Sequence, residues 1–329
     1  MKSKRAMKKL FPSAGVQTND PSWEYFPHDN MRYLAPQAEN ISLEDFRNSL
    51  LSSDTFTEGT SGRQEYIASQ IPRLHRFFSN LYLLKDTLIG PTLDVASGWG
   101  ILYPAFKTFL PELIPYSIAE LTGSNMQIDG DEIECCIFEC DRDRLSYQDN
   151  HFGLVLFVDC IEHLIVDPLW TILEFNRVLK TGGRLVIATP NAAASFRIFK
   201  ILQGQNPGTE NEYKPSAIYQ RHNREWTPWE IATVLRSCGF TDIEYSTNVS
   251  LMSDVELGLL RKMQQDGLLG KPFHYFGPEL FVSAKKQRHI TVDSDISIDD
   301  RWPAWLYTAH ENYRKRPQVF PIVVSDEYN

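Results

Sequence analysis

The sequence has few of the features that mark secreted or membrane proteins. Its 329 residues include only five cysteines, which is too few for a disulfide framework. No run of about 18 uninterrupted apolar residues occurs, so we expect no membrane span. The basic first residues, MKSKRAMKK, are not followed by the apolar segment of a secretory signal. These absences favour a cytoplasmic protein.

An excess of positive charge is also missing. The chain has 33 basic and 42 acidic residues, and its formal net charge is −9. Proteins that bind nucleic acids are usually basic, because contact with phosphates releases counterions and drives binding. We therefore expect a small molecule or a glycan as the ligand, and no nucleic acid. Cys136 and Cys140 have no matching pair at zinc spacing, so we assign no metal ligands, although residues far apart in the sequence could assemble a site.

The sequence does contain an alternation of helical and strand patterns. Apolar residues recur at helical spacing from 64 to 84, and further helices are predicted at 100–110 and 167–180. The predicted strands are TLDV, YSIA, IECCIF, LVLFV and RLVIA, followed later by FTDIEYSTNV and LFVSAKK. This pattern predicts an α/β fold with a Rossmann-like, seven-stranded, mostly parallel sheet and helices on both faces.

Changes in composition divide the chain into three parts. Residues 1–45 are rich in Pro, Asn, Asp and Ser without a period, and we expect an irregular tail. The predicted domain covers 46–286, and within it the polar segment 192–226 is an insertion beside the acceptor site. An extension follows at 287–329. Its DDRWPAWLY segment is aromatic enough to pack on the domain or on a second copy, which makes a homo-oligomer conceivable.

Two local signals concern single helices. Thr227, Pro228 and Glu230 form a capping box that predicts a helix start, and this helix should stop at Gly239. By contrast, the segment LTGSNMQIDGD after Glu120 contains two glycines and little apolar face. The helix expected at that position is therefore degraded.

The first chemical signal is the segment TLDVASGWG at 92–100. An apolar strand runs into a turn with Gly98 and Gly100, where the missing Cβ lets the backbone approach a ligand. The dinucleotide fingerprint G-x-G-x-x-G would require glycine at positions 96, 98 and 101. Ala96 and Ile101 are not glycine, and only Gly98 fits. A nicotinamide dehydrogenase is therefore disfavoured. The pattern D-x-A-x-G-x-G beginning at Asp94 fits another family better.

Two further segments support that family. Glu120 ends the next strand, where a carboxylate can accept both hydroxyls of a ribose. Residues 141–191 then contain D-x-x-x-L, a strand, "EH", "DP", "L-x-E-x-x-R-V-L-K-x-G-G", a strand and "T-P-N". In order and spacing this run resembles the motifs of class I S-adenosylmethionine-dependent methyltransferases. The resemblance covers about residues 90–285.

The resemblance implies S-adenosyl-L-methionine as the cofactor and assigns residues to it. Asp94 would lie near the methionine moiety, and Asp141 would accept a hydrogen bond from the adenine amino group with Arg142 beside it. The predicted cofactor-binding residues are Asp94, Ala96, Gly98, Gly100, Glu120, Asp141, Arg142 and Asp159. Three positions depart from the family pattern: Ala96 replaces the first glycine, Ser146 a proline, and Gly153 an aspartate.

Candidate catalytic residues follow the fourth predicted strand. Glu162 and His163 lie at the sheet edge where ligands of open α/β folds bind, and His163 is the first candidate for a base, because imidazole titrates near neutrality. The alternative is that His163 only packs beside the cofactor. Asp159 is a weaker candidate. His222 is a second candidate base, with a purely loop-docking role as its alternative.

The acceptor is less defined than the cofactor. The segment H-x-R-E-W-T at 222–227 resembles a subgroup associated with glycan modification, and the aromatic residues around it suit sugar stacking or ordinary packing. We therefore predict an O-methyltransferase acting on a sugar, a glycan or another small-molecule hydroxyl. Two alternatives remain: an N-methyltransferase for a small amine or amino sugar, and an inactive cofactor-binding scaffold.

Overall fold

The computed structural model describes residues 31–35, 40–210 and 221–290. These residues form one mixed sheet with helices on both faces, so the predicted Rossmann-like α/β class is confirmed. The strands are β1 (Arg32–Tyr33), β2 (Thr92–Val95), β3 (Tyr116–Glu120), β4 (Met126–Ile128), β5 (Asp131–Ile137), β6 (Phe152–Val158), β7 (Leu179–Pro190), β8 (Phe240–Thr247) and β9 (Glu279–Lys286). Their spatial order is β1-β8-β9-β7-β6-β2-β3-β5-β4. Only β4 and β9 run antiparallel to their neighbours.

Eight α-helices connect or flank these strands in the described part of the chain. They are α1 (Leu43–Leu51), α2 (Asp54–Thr57), α3 (Ser61–Tyr82), α4 (Tyr103–Phe109), α5 (Pro168–Val178), α6 (Ser195–Leu202), α7 (Pro228–Ser237) and α8 (Asp254–Gln265). The capping box predicted at Thr227 is present: its hydroxyl accepts from the Glu230 N–H, and the Glu230 carboxylate accepts from the Thr227 N–H. Within the described ranges, no helix has the length and apolar character that crossing a membrane requires.

The sheet has nine strands, so the predicted number of seven is wrong. One additional strand, β1, pairs with β8 inside the segment that was expected to be irregular. The other, β4, forms a hairpin with β5 where the degraded helix was expected. Asp129 and Gly130 connect the hairpin with φ values of 52° and 81°. Positive φ at both positions is the geometry of the Asp-Gly turn that matches strand twist, and the sequence carried that signal.

The core lies on both faces of the sheet. On one face Phe157 and Phe175 pack with Trp226, and on the other Phe78 packs with Phe106. Each of these five side chains is no more than 1% exposed. Burial on both faces explains why the central strands are continuous apolar runs rather than alternating ones.

A buried amide on α5 joins three distant segments. Asn176 donates from Nδ2 to the carbonyl oxygens of Cys238 and Arg288 at 2.8 and 3.0 Å, and its Oδ1 accepts from the N–H of Ile290. The side chain is fully buried. A buried amide with all these partners stabilises one arrangement of the chain, because any other arrangement leaves polar atoms unpaired.

Gly153, where the related family prefers aspartate, has a steric explanation. A Cβ at this position would lie 2.1 Å from the carbonyl oxygen of Ile89. That atom belongs to the backbone and cannot rotate away. Any side chain at 153, including an aspartate, therefore requires the strand or the segment before β2 to move.

We expect Gly153→Ala to lower the free energy of unfolding by about 1–3 kcal/mol or more, the usual cost of overpacking a core. The measurement is urea denaturation followed by circular dichroism. Gly258→Ala on α8 is the matched control, because nothing lies within 4 Å of its added methyl group. The control should be neutral or stabilising by up to about 1 kcal/mol, as alanine favours a helix over glycine. Equal stability of the two variants would contradict this explanation.

Candidate active site

The glycine turn after β2 has an unusual backbone. Ala96, Gly98, Trp99 and Gly100 all have positive φ, between 57° and 71°. A Cβ on Gly100 would lie 2.7 Å from Cδ1 of Ile128, and the φ of 68° also favours glycine at this position. Left-handed backbone at non-glycine residues is costly and is typical of ligand-binding turns. The structure therefore confirms a specialised turn at the carboxyl end of β2.

Two carboxylates lie beside this turn, as the sequence predicted. Glu120 accepts a 2.6 Å hydrogen bond from the Ser97 hydroxyl, which itself accepts from the N–H of Gly100. Burial raises the pKa of Glu120, and the bond from Ser97 opposes that rise. Asp94 lies deeper and accepts a 2.5 Å hydrogen bond from the Tyr116 hydroxyl. Burial raises the pKa of Asp94 to about 7.

The start of α3 covers the turn. The Trp99 ring is 44% exposed and meets the Tyr66 ring edge-on at 5.9 Å between centroids. The guanidinium of Arg63 lies 5.3 Å from the centre of the Trp99 ring. The first residues of α3 therefore border the glycine turn. The middle of the same helix reaches the carboxyl end of β6, where Arg73 pairs with Asp159.

Asp141 and Arg142 are arranged differently from Glu120. The Asp141 carboxylate is 1% exposed and accepts three backbone N–H bonds, from Ile165, Val166 and Asp167. Arg142 pairs with Glu139. In this structure Asp141 holds the loop before α5. The expectation that it accepts from an adenine amino group stays a prediction.

A second polar group follows β6. Asp159 has a φ of 52° and pairs with Arg73 of α3. Burial raises the pKa of Asp159 to about 7, and the charge of Arg73 opposes that rise. Glu162 is 1% exposed, and its Oε2 accepts a 2.9 Å hydrogen bond from the Thr189 hydroxyl. Burial also raises the pKa of Glu162.

The two candidate histidines are in contact with each other. The rings of His163 and His222 lie 5.0 Å apart between centroids at an angle of 72°. His163 has Nδ1 3.0 Å from the carbonyl oxygen of Arg221, and His222 has Nδ1 3.0 Å from Oε1 of Glu225. The carbonyl and the carboxylate can only accept hydrogen bonds, so each Nδ1 carries a proton. Nε2 is the ring nitrogen that these two bonds leave unused.

Their pKa values shift in opposite directions. Burial lowers the pKa of His163, and the nearby His222 adds to that shift. Burial also acts to lower the pKa of His222, but the bond to Glu225 and the charges of Glu162 and Glu210 outweigh it and raise the pKa.

Backbone contacts connect the segment before α7 to the end of β6. The carbonyl of Glu162 accepts from the N–H groups of Asn223 and Arg224, and the Asn223 amide donates to the carbonyl of His163. Glu225 accepts from Arg197, Thr209 and His222, at 2.7, 2.7 and 3.0 Å. These bonds explain the H-x-R-E-W-T segment, because its first and fourth residues fix each other and its last residue caps α7.

A pocket lies between α3 and the carboxyl ends of β6 and β7. Its lining residues are Arg73, Leu74, Phe77, Asn80, Val158, Asp159, Ala188, Thr189, Asn248, Glu279, Leu280 and Phe281. Glu279 is held by Arg76 through two hydrogen bonds of 2.8 and 3.1 Å. Thr189 borders this pocket and also contacts Glu162. The pocket therefore adjoins the group of Glu162, His163 and His222, which we call the histidine cluster.

Cys160 lies near a carboxylate of the turn and a carboxylate of the cluster. The Cys140 thiol and burial hold the pKa of Cys160 well above its ordinary value, and the charges of Glu162 and Glu120 act in the same direction. Cys160 therefore lies within electrostatic range of both carboxylates. The predicted residues Asp94, Glu120, Asp159, His163 and His222 share one edge of the sheet.

Sequence reasoning missed several residues of this edge. Arg73, Thr189, Glu225 and Glu279 were not selected, although Arg73 and Arg76 on the amphipathic helix were a detectable signal. Tyr213 and Tyr219, two of the aromatic residues considered for sugar stacking, lie outside the described residues, as does the WPAWLY segment.

Comparison with protein-family models shows the family of this chain. A family model described as a methyltransferase domain matches residues 62–245, which is more than half of the chain. The uncharacterized protein MJ0638 of Methanocaldococcus jannaschii is 29% identical over 148 residues, which cover 45% of this chain and 56% of that protein. The chain therefore matches little more than half the length of this relative.

Two solved structures are similar at low TM-scores. A SAM dependent methyltransferase from Archaeoglobus fulgidus has 16% identity and a TM-score of 0.41, covering 71% of this chain and 97% of that one. The phosphoethanolamine N-methyltransferase 2 of Haemonchus contortus, in complex with phosphomonomethylethanolamine and S-adenosylhomocysteine, has 15% identity and a TM-score of 0.39. That match covers 75% of this chain and 61% of the other.

The contacts of Asp141 predict a stability effect. Asp141→Asn places an amide NH₂ among three backbone N–H donors, and we expect a loss of about 1–3 kcal/mol in the free energy of unfolding. Urea denaturation without ligands measures it. Asp242→Asn, an exposed carboxylate on β8, should change stability by less than about 0.5 kcal/mol. An unfolding curve unchanged by Asp141→Asn would refute the loop-holding role.

Proposed function

The chain belongs to the methyltransferase domain family, and from that premise we propose that it methylates a hydroxyl group of a sugar or of another small polar molecule. Its cofactor is S-adenosyl-L-methionine. The observation that carries the acceptor proposal is the charged pocket of Arg73, Asp159 and Glu279 beside the histidine cluster. Carboxylates accept from hydroxyl groups and guanidinium groups donate to them, so these side chains can bind a hydroxyl group of an acceptor.

The glycine turn and its carboxylates fit the cofactor. The turn at Gly98 and Gly100 exposes backbone toward Glu120, which would hold the two ribose hydroxyls. Asp94 has a pKa near 7, so a neighbouring cation would favour its charged form. The cofactor has such cations in its ammonium and sulfonium groups. When bound, it supplies a methyl carbon activated by the sulfonium.

The chain's own residues would align the acceptor and remove its proton. An acceptor hydroxyl in the pocket can be oriented by Arg73 and Asp159, with α3 excluding water from above. The acceptor oxygen forms its bond to the methyl carbon as the carbon–sulfur bond breaks. The hydroxyl proton leaves toward the group formed by Asp159, His163 and His222, and His163 is the first candidate to accept it.

An amine acceptor is the alternative within the enzyme class. A neutral amine is already nucleophilic and needs no base, whereas a hydroxyl does. Carboxylates in the pocket would also attract a protonated amine, but Asp159 and Glu279 are each paired with an arginine. This pairing favours the neutral hydroxyl acceptor. A scaffold without activity would bind the cofactor and transfer no methyl group to any acceptor.

The proposal that Glu120 holds the ribose hydroxyls of the cofactor predicts an effect on cofactor binding. Glu120→Gln should weaken S-adenosylmethionine binding about tenfold or more, because a hydrogen bond to a charged group contributes about 1.5–3 kcal/mol. Isothermal titration calorimetry measures the dissociation constant. Glu134→Gln, an exposed carboxylate on the adjacent strand β5, should leave it within about twofold. Equal affinity of both variants would exclude Glu120 from the cofactor site.

Turnover tests the acceptor. Transfer of a labelled methyl group is measured against a panel of methyl glycosides and a panel of small amines. We expect products from glycosides, and His163→Ala and His222→Ala should each lower that turnover about 100-fold, in line with the usual contribution of proton transfer. Cofactor affinity should stay unchanged. His151→Ala is the control and should keep full turnover, because this exposed histidine precedes the amino end of β6 whereas His163 follows the carboxyl end.

Three results would contradict the proposal in different ways. Products from amines alone would favour the N-methyltransferase. Glycoside turnover that is unaffected by both histidine replacements would remove them from the reaction. Tight cofactor binding with no product from either panel would favour the scaffold.

A further inference from the structure

We propose that Glu162, His163 and His222 form a binding site for a divalent transition-metal cation at the edge of the acceptor pocket. One ligand atom from each residue lies within 4.8 Å of those of the other two. Two imidazoles and one carboxylate are a donor set that first-row divalent cations bind well. The site goes beyond the sequence, in which we assigned no metal ligands, because His222 lies 59 positions after His163.

An unpartnered buried atom supports this site independently. Glu162 is 1% exposed, and its Oε1 has no hydrogen-bond donor among the described residues. Its other oxygen is held by Thr189. A buried carboxylate oxygen without a partner is costly, and a cation beside it would remove that cost.

The orientation of both histidines is that of metal ligands. Histidines that bind metals usually donate their other ring N–H to a carbonyl or a carboxylate, which fixes the ring and the tautomer. His163 does so to the carbonyl of Arg221, and His222 does so to Glu225. In the neutral form of each ring, Nε2 is then the unprotonated nitrogen. Glu225 is itself held by Arg197 and Thr209, so the orienting carboxylate is fixed.

The charges around the cluster also favour a cation. Asp159, Glu210 and Glu225 lie nearby, and Glu210 Oε2 is 3.8 Å from Nε2 of His222. Arg73 and Arg197 pair with Asp159 and Glu225, and no ion pair among the described residues includes Glu162. Three protein ligands leave coordination positions open, which is the arrangement of catalytic rather than structural sites.

This inference rests on the proposed function only for the role that the cation would have in the reaction. A cation here would offer the acceptor hydroxyl a coordination position beside Thr189, where the pocket and the cluster meet. It would also stabilise the deprotonated oxygen. Both imidazoles would then hold the cation, and the hydroxyl proton would leave toward Asp159, the remaining member of the proton-accepting group, rather than toward His163. Metal binding itself needs neither cofactor nor acceptor.

The test is a cobalt titration of the full chain after treatment with a chelator. Co²⁺ is added without cofactor or acceptor, and its visible absorption bands report on coordination by nitrogen and oxygen. We expect one equivalent to bind. Glu162→Gln, His163→Ala and His222→Ala should each weaken binding at least about 100-fold, and Glu225→Gln, outside the ligand set, about 10- to 100-fold. His151→Ala is the matched control and should bind as the parent chain does.

Each outcome decides the inference. No stoichiometric binding, or binding that Glu162→Gln and His222→Ala leave unchanged, overturns it. Circular dichroism of each variant shows whether lost binding is lost folding, and Glu225→Gln supplies an answer if a ligand variant does not fold. A chain that binds cobalt but methylates no hydroxyl refutes the proposed function alone. A chain that methylates glycosides without binding cobalt refutes the metal site alone.

Discussion

Parallel pairing of β2 with β3 and β6 is the constraint on which the site depends. The register sets Asp94 between Ile118 and Leu156. A slip of one residue would turn each side chain to the other face and separate Asp94 from the Tyr116 hydroxyl. Because parallel strands end at the same edge, this register also fixes where the glycine turn, Glu120 and the residues after β6 meet.

The second requirement is that partly buried charges at this edge compensate each other across elements far apart in sequence. Asp159 pairs with an arginine of α3, and Glu279 of β9 pairs with another. Glu225 joins α6, the segment near Thr209 and His222. Such pairs add little net stability, but removing one partner is costly, so they specify one arrangement of the pocket wall.

Sequence patterns predicted seven of the nine strands, the capped helix α7 and the turn at Gly100, because those depend on local periodicity and local backbone chemistry. They also selected His163 and His222, although nothing in their spacing showed that the rings touch. The β4–β5 hairpin was missed because a degraded helix received more weight than the Asp129–Gly130 turn signal. Arg73 and Glu225 were missed because their partners are brought together only by tertiary packing.

The Asn176 anchor has a consequence for synthesis of the chain. Its amide is completed only by residues up to Ile290, which is 114 positions later. At about 5–20 residues per second, the ribosome needs roughly 6–23 s to add them. During that time the Asn176 amide on α5 lacks its complete set of hydrogen-bond partners, and this part of the nascent domain cannot finish packing. Completion of this buried network is therefore coupled to near-completion of translation of the described domain.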